Sequence, residues 1–414
     1  MRALAAVLGS EGDVIPFIAL GQRLAERGHE LVLAGFEDFA TRVQTEGIDY
    51  LPLPGDCQRL MRRLLGDTKG VLDAVRGFRE MMGEPAVFEA LEGAMDGIDV
   101  VLHNQFTEMA RLLSAAAGVP CLRVLAYPTE PGRRYSLVDP RRNDGSWRAT
   151  AWHRASNLMM VWAMAPVMGA WRRRLRLPRF CPCRPDATLY QFSPTLSPPD
   201  PAWGERVHVT GEWLCRPQDP EHLDEEVEDF LGNGEAPLLV SFGSVASSQL
   251  PRARVWVREL LVERRQRAII VEPEHPRGEE DGLLSLARVP FEAVLGRCRG
   301  VISHGGVGTI GAALRAGVPV MTVAFGGDQQ FHAQAVHRNG AGPAYIDAQR
   351  GELTRRMLAV RMDELLSGDH DEAARGLAPR LKAEQGVDEA VEVLLGLTAG
   401  FRDASEKAIG ENGQ

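Results

Sequence analysis

A glycine-rich turn between an apolar strand and a helix is the part of this sequence best suited to chemistry. Residues 300–303 form a short apolar run, and the turn His304-Gly305-Gly306-Val307-Gly308-Thr309 follows. Glycines at such a junction expose backbone N–H groups at the start of a helix, where the helix dipole favours negative charge. The turn lacks the lysine of a P-loop and the spacing of a dinucleotide-binding fingerprint. His304 stands where a donor to a phosphate is needed, so the turn predicts a phosphate or diphosphate site.

The same unit ends in a second group of polar residues. Its helix is stopped by Gly317 and Pro319, and the apolar strand 318–323 leads into Gly326-Gly327-Asp328-Gln329. A carboxylate and an amide side by side can hydrogen-bond several hydroxyl groups in a fixed geometry. Asp328 and Gln329 are therefore candidates for contacts to a sugar, and the alternative is an ordinary turn after a strand.

Length and composition indicate an ordinary enzyme with two domains. The chain has 414 residues, of which 44% are hydrophobic and 25% charged, and a net charge of -9 that argues against general nucleic-acid binding. The six cysteines are scattered, and the one CxC motif has no second pair, so we expect reduced thiols, no zinc site and a cytoplasmic protein. No apolar run approaches the ~20 residues of a membrane span.

Strands and helices alternate along both halves of the chain. Apolar runs at 3–8, 31–34, 100–103 and 120–125 predict strands, and 14–27 has helical spacing. The alternation restarts after the proline-dense stretch 193–204 with predicted strands at 207–210, 238–242, 268–271, 301–303 and 320–323. Repeated βα units predict parallel, doubly wound sheets. We predict two α/β domains, an N-terminal one (1–200) and a C-terminal one (218–385), with a linker between them (201–217) and a final helix with a polar tail (386–414).

Three segments together resemble one enzyme family. The pattern around the glycine-rich turn is similar to the donor-binding signature of family-1 glycosyltransferases, which have the GT-B fold and use nucleotide sugars. Residues 9–16 resemble the opening of the microbial antibiotic-modifying and sterol glucosyltransferase subgroups, and Ser241-Phe242-Gly243-Ser244 resembles the turn that begins their donor domain. The matching residues of the signature are His304, Gly306, Gly308, Thr309, Gly317, Pro319, Asp328 and Gln329.

The resemblance implies a fold and a set of donor contacts. The fold is two facing Rossmann-like domains, α/β with doubly wound parallel sheets, separated by a cleft, and the last helical stretch returns to the first domain. The resemblance implies that the N-terminal domain (1–200) binds the acceptor and the C-terminal domain (218–385) binds the nucleotide sugar. The implied contacts are the diphosphate with His304, Thr309 and the backbone of Gly306, Val307 and Gly308; the phosphates or sugar with Ser244; the sugar with Asp328 and Gln329; and the nucleobase with Val289. Neither a metal nor another cofactor is required.

Transfer to a hydroxyl group needs a base beside the acceptor oxygen. Asp13 is our candidate, because it lies in the first strand–helix loop, where the subgroup that this chain resembles has an aspartate. The alternative is helix capping, which would lower the pKa of Asp13 and weaken it as a base. His103 is a second candidate, because it ends a strand and strand C-termini face the ligand in such sheets.

The acceptor is indicated only by residues 152–176, which are rich in tryptophan and methionine and end in three arginines. They predict packed helices; the alternatives are a lid over a bulky apolar acceptor and a weak peripheral membrane contact. We therefore predict an inverting O-glycosyltransferase that moves a hexose from a UDP- or dTDP-sugar to a lipophilic acceptor such as a natural product or a sterol. A GT-B nucleotide-sugar epimerase and a non-catalytic nucleotide-sugar-binding helper are the alternatives.

Overall fold

The computed structural model describes residues 1–57, 71–135, 147–178, 184–215, 223–243, 245, 247–275 and 277–412. The chain forms two compact units. The first comprises Met1–Pro194, Pro199–Cys215 and Gln385–Gln414, and the second comprises Thr195–Pro198 and Arg216–Glu384. Most of the stretch predicted as a linker, 201–217, thus belongs to the first unit.

The first unit is a parallel sheet with helices packed against it. Its strands are β1 (Arg2–Ala6), β2 (Glu30–Phe36), β3 (Asp49–Leu53), β4 (Val100–His103), β5 (Cys121–Leu125), β6 (Ala187–Tyr190) and β7 (Val207–Val209). The helices before the second unit are α1 (Glu11–Glu26), α2 (Ala40–Thr45), α3 (Val71–Met82), α4 (Pro85–Gly93), α5 (Ala110–Ala117) and α6 (Trp147–Arg174). The seven strands lie in the order β3-β2-β1-β4-β5-β6-β7, and every pair is parallel.

The second unit repeats this plan. Its strands are β8 (Leu238–Ser241), β9 (Ala268–Val271), β10 (Gly278–Glu280), β11 (Leu283–Leu286), β12 (Gly300–Ser303), β13 (Val320–Ala324) and β14 (Ile346–Asp347). Its helices are α7 (Glu225–Gly232), α8 (Leu250–Glu263), α9 (Phe291–Leu295), α10 (Val307–Arg315), α11 (Gln329–Arg338), α12 (Arg355–Leu366) and α13 (Asp371–Lys382). The strand order is β10-β11-β9-β8-β12-β13-β14, and β10, which pairs antiparallel to β11, is the exception to parallel pairing. The predicted doubly wound α/β architecture is confirmed.

Each sheet contains one point at which the strand order reverses. In the first unit the chain runs outward from β1 through β2 to β3, then returns to the other side of β1 with β4. In the second unit the same reversal separates β8 from β12. Loops that leave the carboxyl ends of two such strands run in opposite directions and leave a crevice between them, which is where open α/β sheets bind ligands. The sheet topology therefore selects the loops after β1 and β4, and those after β8 and β12.

The final helix, α14 (Gly386–Asn412), packs on the first unit. Ala390, Val391 and Leu394 enter the hydrophobic core that also holds residues of α1 and β1. Arg23 of α1 donates to both carboxylate oxygens of Asp388, with N–O distances of 2.5 and 2.6 Å. α13 ends at Lys382, and α14 begins at Gly386, where the sequence predicts the final helix to begin. Among the described residues, none of the helices combines the length and apolar character of a transmembrane span.

Two further differences from the sequence prediction concern how elements continue or pair. Residues 152–176 lie mostly within the single helix α6, which continues through Pro166, rather than in a pair of helices. Val207–Val209 forms β7, as the strand predicted at 207–210 indicated, but it pairs with β6 and joins the first sheet instead of beginning the second half of the chain. A local apolar run predicts a strand but not the sheet that the strand joins.

We expect Leu394→Ala to lower the free energy of unfolding by about 3 kcal/mol, because it leaves a cavity in a core that α14 helps to form. Val360→Ala, at an exposed position of α12, should change it by less than about 0.5 kcal/mol. Urea unfolding followed by tryptophan fluorescence measures both. Equal effects of the two substitutions would mean that α14 is not docked in solution.

Candidate active site

The ligand-binding edge of the second unit is formed by three neighbouring strands. β8, β12 and β13 lie side by side and parallel, so their carboxyl ends meet at one edge of the sheet. Gly243 follows β8, His304 follows β12, and Asp328 follows β13 after a short loop. The topology therefore brings together three positions that are far apart in sequence, at the point where the strand order reverses.

The first turn of α10 presents backbone N–H groups without partners in the helix. Gly306 is the N-cap, and the first hydrogen bond of the helix runs from the N–H of Ile310 to the Gly306 carbonyl oxygen at 3.1 Å. The N–H groups of Val307, Gly308 and Thr309 precede that bond, so they have no acceptor within α10. The helix dipole adds partial positive charge at the same place. This geometry suits a phosphate group.

The His304 ring is held between two glycines. A Cβ atom on Gly306 would lie 2.5 Å from the ring Nε2, and one on Gly243 would lie 2.8 Å from the ring Cε1. Any larger residue at either position would have to displace the ring. The glycines of both turns therefore have a second purpose beyond turn geometry, which is to leave room for this histidine beside the start of α10.

Burial lowers the pKa of His304, against the opposing influence of the Asp328 carboxylate and the backbone of Ser241. The ring is therefore neutral at pH 7, since the usual value is 6.5. Its buried Nδ1 atom makes no hydrogen bond of ordinary geometry with any residue that the structure describes. A neutral imidazole can donate one hydrogen bond, and a nearby anion would favour the protonated ring.

Asp328 and Gln329 begin α11 and differ in how much of each side chain is available. Asp328 is the half-buried N-cap, and its Oδ2 lies 3.5 Å from the Nε2 of His332. Burial acts to raise the pKa of Asp328, but the neighbouring His332 and His304 outweigh it and the pKa is lowered. Gln329 is buried, and its Oε1 accepts a hydrogen bond from the N–H of Phe325 at 2.7 Å. Asp328 is thus an anionic acceptor, while one end of the Gln329 amide already has a structural partner.

Of the two other predicted donor contacts, Val289 and Ser244, the structure describes only Val289. Val289 is half-buried in the loop between β11 and α9 and packs against the core of the second unit. Ser244 lies outside the described residues. No three His, Cys, Asp or Glu side chains in the described part of the chain converge in a way that could hold a metal ion.

In the first unit, Asp13 lies in the first turn of α1. Its Oδ2 accepts hydrogen bonds from the backbone N–H of Ser10 at 2.8 Å and from the Ser10 hydroxyl at 3.1 Å. Both of these bonds end on the same oxygen, so they fix the carboxylate without using Oδ1. Asp13 therefore has the capping role, and its half-buried carboxylate lies at the strand-order reversal, where the sequence predicts a base.

Gly9 makes this position of Asp13 sterically accessible. Its φ of +145° is in a region that side chains rarely adopt, and a Cβ atom there would lie 2.3 Å from Asp13 Oδ2. Nearby, burial and the carboxylates of Asp13, Asp38 and Asp56 raise the pKa of Cys57 to about 12. The Cys57 thiol is consequently protonated at neutral pH.

Asn104, which was not among the predicted site residues, holds the Asp13 loop in place. The Asn104 side chain donates a hydrogen bond to the Leu8 carbonyl oxygen at 2.6 Å, from the loop after β4 to the loop after β1. Thr107 donates to the Ala6 carbonyl oxygen at 2.6 Å and lies 3.1 Å from the Asn104 amide oxygen. Asn104 and Thr107 directly follow a predicted strand, and this Asn-x-x-Thr pattern was the available signal.

His103, the second candidate base, is fully buried. Leu102 belongs to the core beneath α1, and neighbouring side chains of a strand point to opposite faces, so His103 lies on the face away from α1. Burial lowers the pKa of His103, although Glu108 acts to raise it, and Nδ1 lies 3.0 Å from the Asn104 carbonyl oxygen. A residue with no exposed surface cannot contact a substrate without a rearrangement, so the geometry favours Asp13.

Two family models match separate parts of the chain. Residues 3–92, which include Asp13, match the glycosyltransferase family 28 N-terminal domain. Residues 277–395, which include His304 and Asp328, match the erythromycin biosynthesis protein CIII-like C-terminal domain.

Individual proteins match nearly the whole chain. The O-mycaminosyltylonolide 6-deoxyallosyltransferase of Streptomyces fradiae is 30% identical over 94% of this chain and 96% of its own length. A sterol 3-beta-glucosyltransferase of Arabidopsis thaliana is 25% identical over 95% of this chain, which spans only 65% of that relative. The crystal structure of the glycosyltransferase VinC in complex with DTDP superposes with a TM-score of 0.68 at 17% identity, covering 96% of this chain and all of that one.

We expect His304→Ala to weaken the binding of thymidine diphosphate about tenfold or more, because a hydrogen bond to a charged group contributes about 1.5–3 kcal/mol. His337→Ala, at an exposed position of α11, is the matched control and should bind as the parent does. Isothermal titration calorimetry gives both affinities. If His304→Ala bound thymidine diphosphate as tightly as the parent does, the assignment of the His304 ring to the diphosphate site would be wrong.

The same titration reports the protonation of the ring. Because burial holds the pKa of free His304 below 6.5 and an anion raises it, binding at a pH of about 6.5 should take up protons. Calorimetry in two buffers of different ionisation enthalpy measures this uptake, which His304→Asn should reduce and His337→Ala should not.

Proposed function

Because the chain belongs to the nucleotide-sugar-dependent glycosyltransferases of the antibiotic and sterol type, we propose that it transfers a hexose with inversion from a dTDP- or UDP-sugar to a hydroxyl group of a bulky apolar small molecule. The observation that carries this proposal is the start of α10, where open backbone N–H groups and the His304 ring lie together at the strand-order reversal. A diphosphate is the ligand that such a site fits.

The donor is assigned from this site and from the relatives. VinC was crystallised with DTDP, and the Streptomyces fradiae relative transfers a 6-deoxyallosyl group according to its name. We therefore place a dTDP-activated deoxyhexose first among the donors, with a UDP-hexose as the alternative. The nucleobase of the donor is assigned to the neighbourhood of Val289, in the loop after β11. The diphosphate of the donor is assigned to the first turn of α10.

The sugar contacts are assigned to the start of α11. Asp328 is an anionic acceptor whose lowered pKa keeps it ionised at neutral pH, so it can accept hydrogen bonds from two hydroxyl groups. Because the Gln329 amide oxygen is bonded to Phe325, its amide NH2 group is the part assigned to the sugar. His332 stands 3.5 Å from Asp328 and orients the carboxylate, which makes it a positioning residue.

The chemical step is a single displacement. Asp13 accepts the proton of the acceptor hydroxyl, the oxygen forms a bond to the anomeric carbon, and the bond from that carbon to the diphosphate breaks. Attack opposite the leaving group inverts the configuration. The negative charge that develops on the departing diphosphate is stabilised by the first-turn N–H groups of α10 and by His304, which are already oriented before the reaction.

Neither alternative function gains support from the comparisons. The two named relatives are transferases, so an epimerase would need a different reaction from both. A helper protein without catalysis would not need a half-buried carboxylate such as Asp13 in the first strand–helix loop.

We expect Asp13→Asn to lower the rate of transfer to an alcohol by about 10²- to 10⁴-fold, the usual contribution of a general base. Asparagine has nearly the same shape and can still accept from Ser10, so donor affinity and melting temperature should stay close to those of the parent. The loss should shrink with a phenolic acceptor, which releases its proton more readily. Initial rates with both acceptors, measured by chromatography of the product, decide this.

A parental rate of transfer in Asp13→Asn would contradict the assignment of Asp13 as the base. Loss of the rate in His103→Ala alone would then identify His103 as the base. A melting temperature lowered in His103→Ala but not in Asp13→Asn would instead confirm a purely structural role for the buried histidine.

A substitution of Gly9 tests the position of Asp13 without changing the carboxylate itself. Gly9→Ala should reduce transfer by at least about tenfold, because the new methyl group occupies the space of Asp13 Oδ2 and the φ is unfavourable. Gly12→Ala is the matched control from the same segment, where the nearest atom to a Cβ is 3.6 Å away. Similar activity of the two variants would show that the position of Asp13 is not critical.

A further inference from the structure

The outer side of α6 is an apolar surface open to solvent. Trp162 is 76% exposed and Trp152 58%, values unusual for the largest apolar side chain. At 100° per residue the exposed residues form one continuous side of the helix. We call this side the outer face of α6, and it consists of Trp147, Ala151, Trp152, Ala155, Leu158, Met159 and Trp162.

The opposite side of α6 is firmly packed. Trp171 is stacked on Phe88 with ring centroids 4.1 Å apart, and its indole N–H donates to the Met82 carbonyl oxygen at 2.9 Å. Met164 is buried on the same side. A contiguous exposed apolar surface usually marks an interaction site, so we expect the outer face of α6 to have a binding partner.

The charges of α6 have a single sign. Its 28 residues include five arginines and no aspartate or glutamate, in a chain whose net charge is -9. Arg174 pairs with Glu89 and Glu92, and Arg148 lies over the ring of Trp147 at 5.7 Å. Arg148 and Arg154 are exposed beside the outer face. The partner should therefore be both apolar and anionic.

We propose that the outer face of α6 binds the surface of an anionic lipid bilayer, with the helix lying parallel to the membrane plane. Tryptophan favours the boundary between lipid headgroups and hydrocarbon, and arginine is attracted by anionic headgroups. A symmetric contact between two copies of the chain would place the arginines of both helices against each other, and that repulsion disfavours self-association. Membrane binding would bring the enzyme to the phase in which apolar acceptors accumulate, a benefit that rests on the proposed function, whereas the binding itself does not.

Co-sedimentation with vesicles tests the proposal on the full chain. Binding should be strong to vesicles of phosphatidylcholine mixed with phosphatidylglycerol, weak to phosphatidylcholine alone, and reduced by added salt. Trp152→Ser combined with Trp162→Ser should lower the partition coefficient about tenfold or more. Arg148→Gln combined with Arg154→Gln should lower it by a similar factor on the anionic vesicles only, since each arginine near such a surface contributes about fivefold.

Matched controls come from the second unit. Val255→Ser combined with Val360→Ser, both at exposed positions, and Arg356→Gln should bind vesicles as the parent does. Quenching of tryptophan fluorescence by brominated lipid gives a readout on the unaltered chain. It should be extensive in the parent and smaller in the tryptophan variant, in which Trp147 is the one tryptophan of the outer face that remains.

Three outcomes would overturn the proposal. The parent could fail to bind anionic vesicles, or the tryptophan variant could bind and be quenched as the parent is. The tryptophan variant could also change the sedimentation coefficient of the free protein without changing vesicle binding, which would make the outer face a contact between copies. If vesicle binding fails while transfer to a water-soluble acceptor proceeds, the proposed reaction stands and only the membrane contact is lost.

Discussion

The candidate site of the second unit depends on the backbone N–H groups in the first turn of α10, which have no acceptor within the helix. A helix cannot satisfy its own first-turn donors, and the dipole adds positive charge at the same end. The sheet delivers this helix start to the strand-order reversal between β8 and β12, and two glycines leave room beside it for the His304 ring. Since His304 is kept neutral by burial, the site is polar without being permanently cationic, which suits the binding of an anion such as a diphosphate.

The first unit meets a comparable constraint with side chains instead of a helix dipole. Its reversal lies between β1 and β4, and Asn104 joins the two loops there through the Leu8 carbonyl oxygen. That hydrogen bond holds the segment in which Gly9 makes room for the carboxylate of Asp13. Capping of α1 and presentation of a base are therefore compatible, because the two hydrogen bonds from Ser10 both end on Oδ2.

The first unit also exposes an apolar surface to solvent, the outer face of α6. Trp171 fixes one side of the helix against Phe88, whereas Trp152 and Trp162 remain in water on the other. Exposed apolar area of this kind is costly in a monomer and usually marks a contact. Because α6 contains five arginines and no carboxylates, we expect the partner of its outer face to be anionic.

The amino-acid sequence alone determined the family, the α/β architecture and the two strand–helix turns with Asp13 and His304. These depend on hydrophobic periodicity and on local turn chemistry, which act between residues close in the chain. Only the tertiary structure decided that His103 is buried on the far face of its sheet, that the Gln329 amide oxygen is bonded to Phe325, and that β7 joins the first sheet. It also revealed Asn104, whose partner Leu8 is 96 residues away. Burial and long-range pairing depend on which elements become neighbours, and a local pattern does not contain that information.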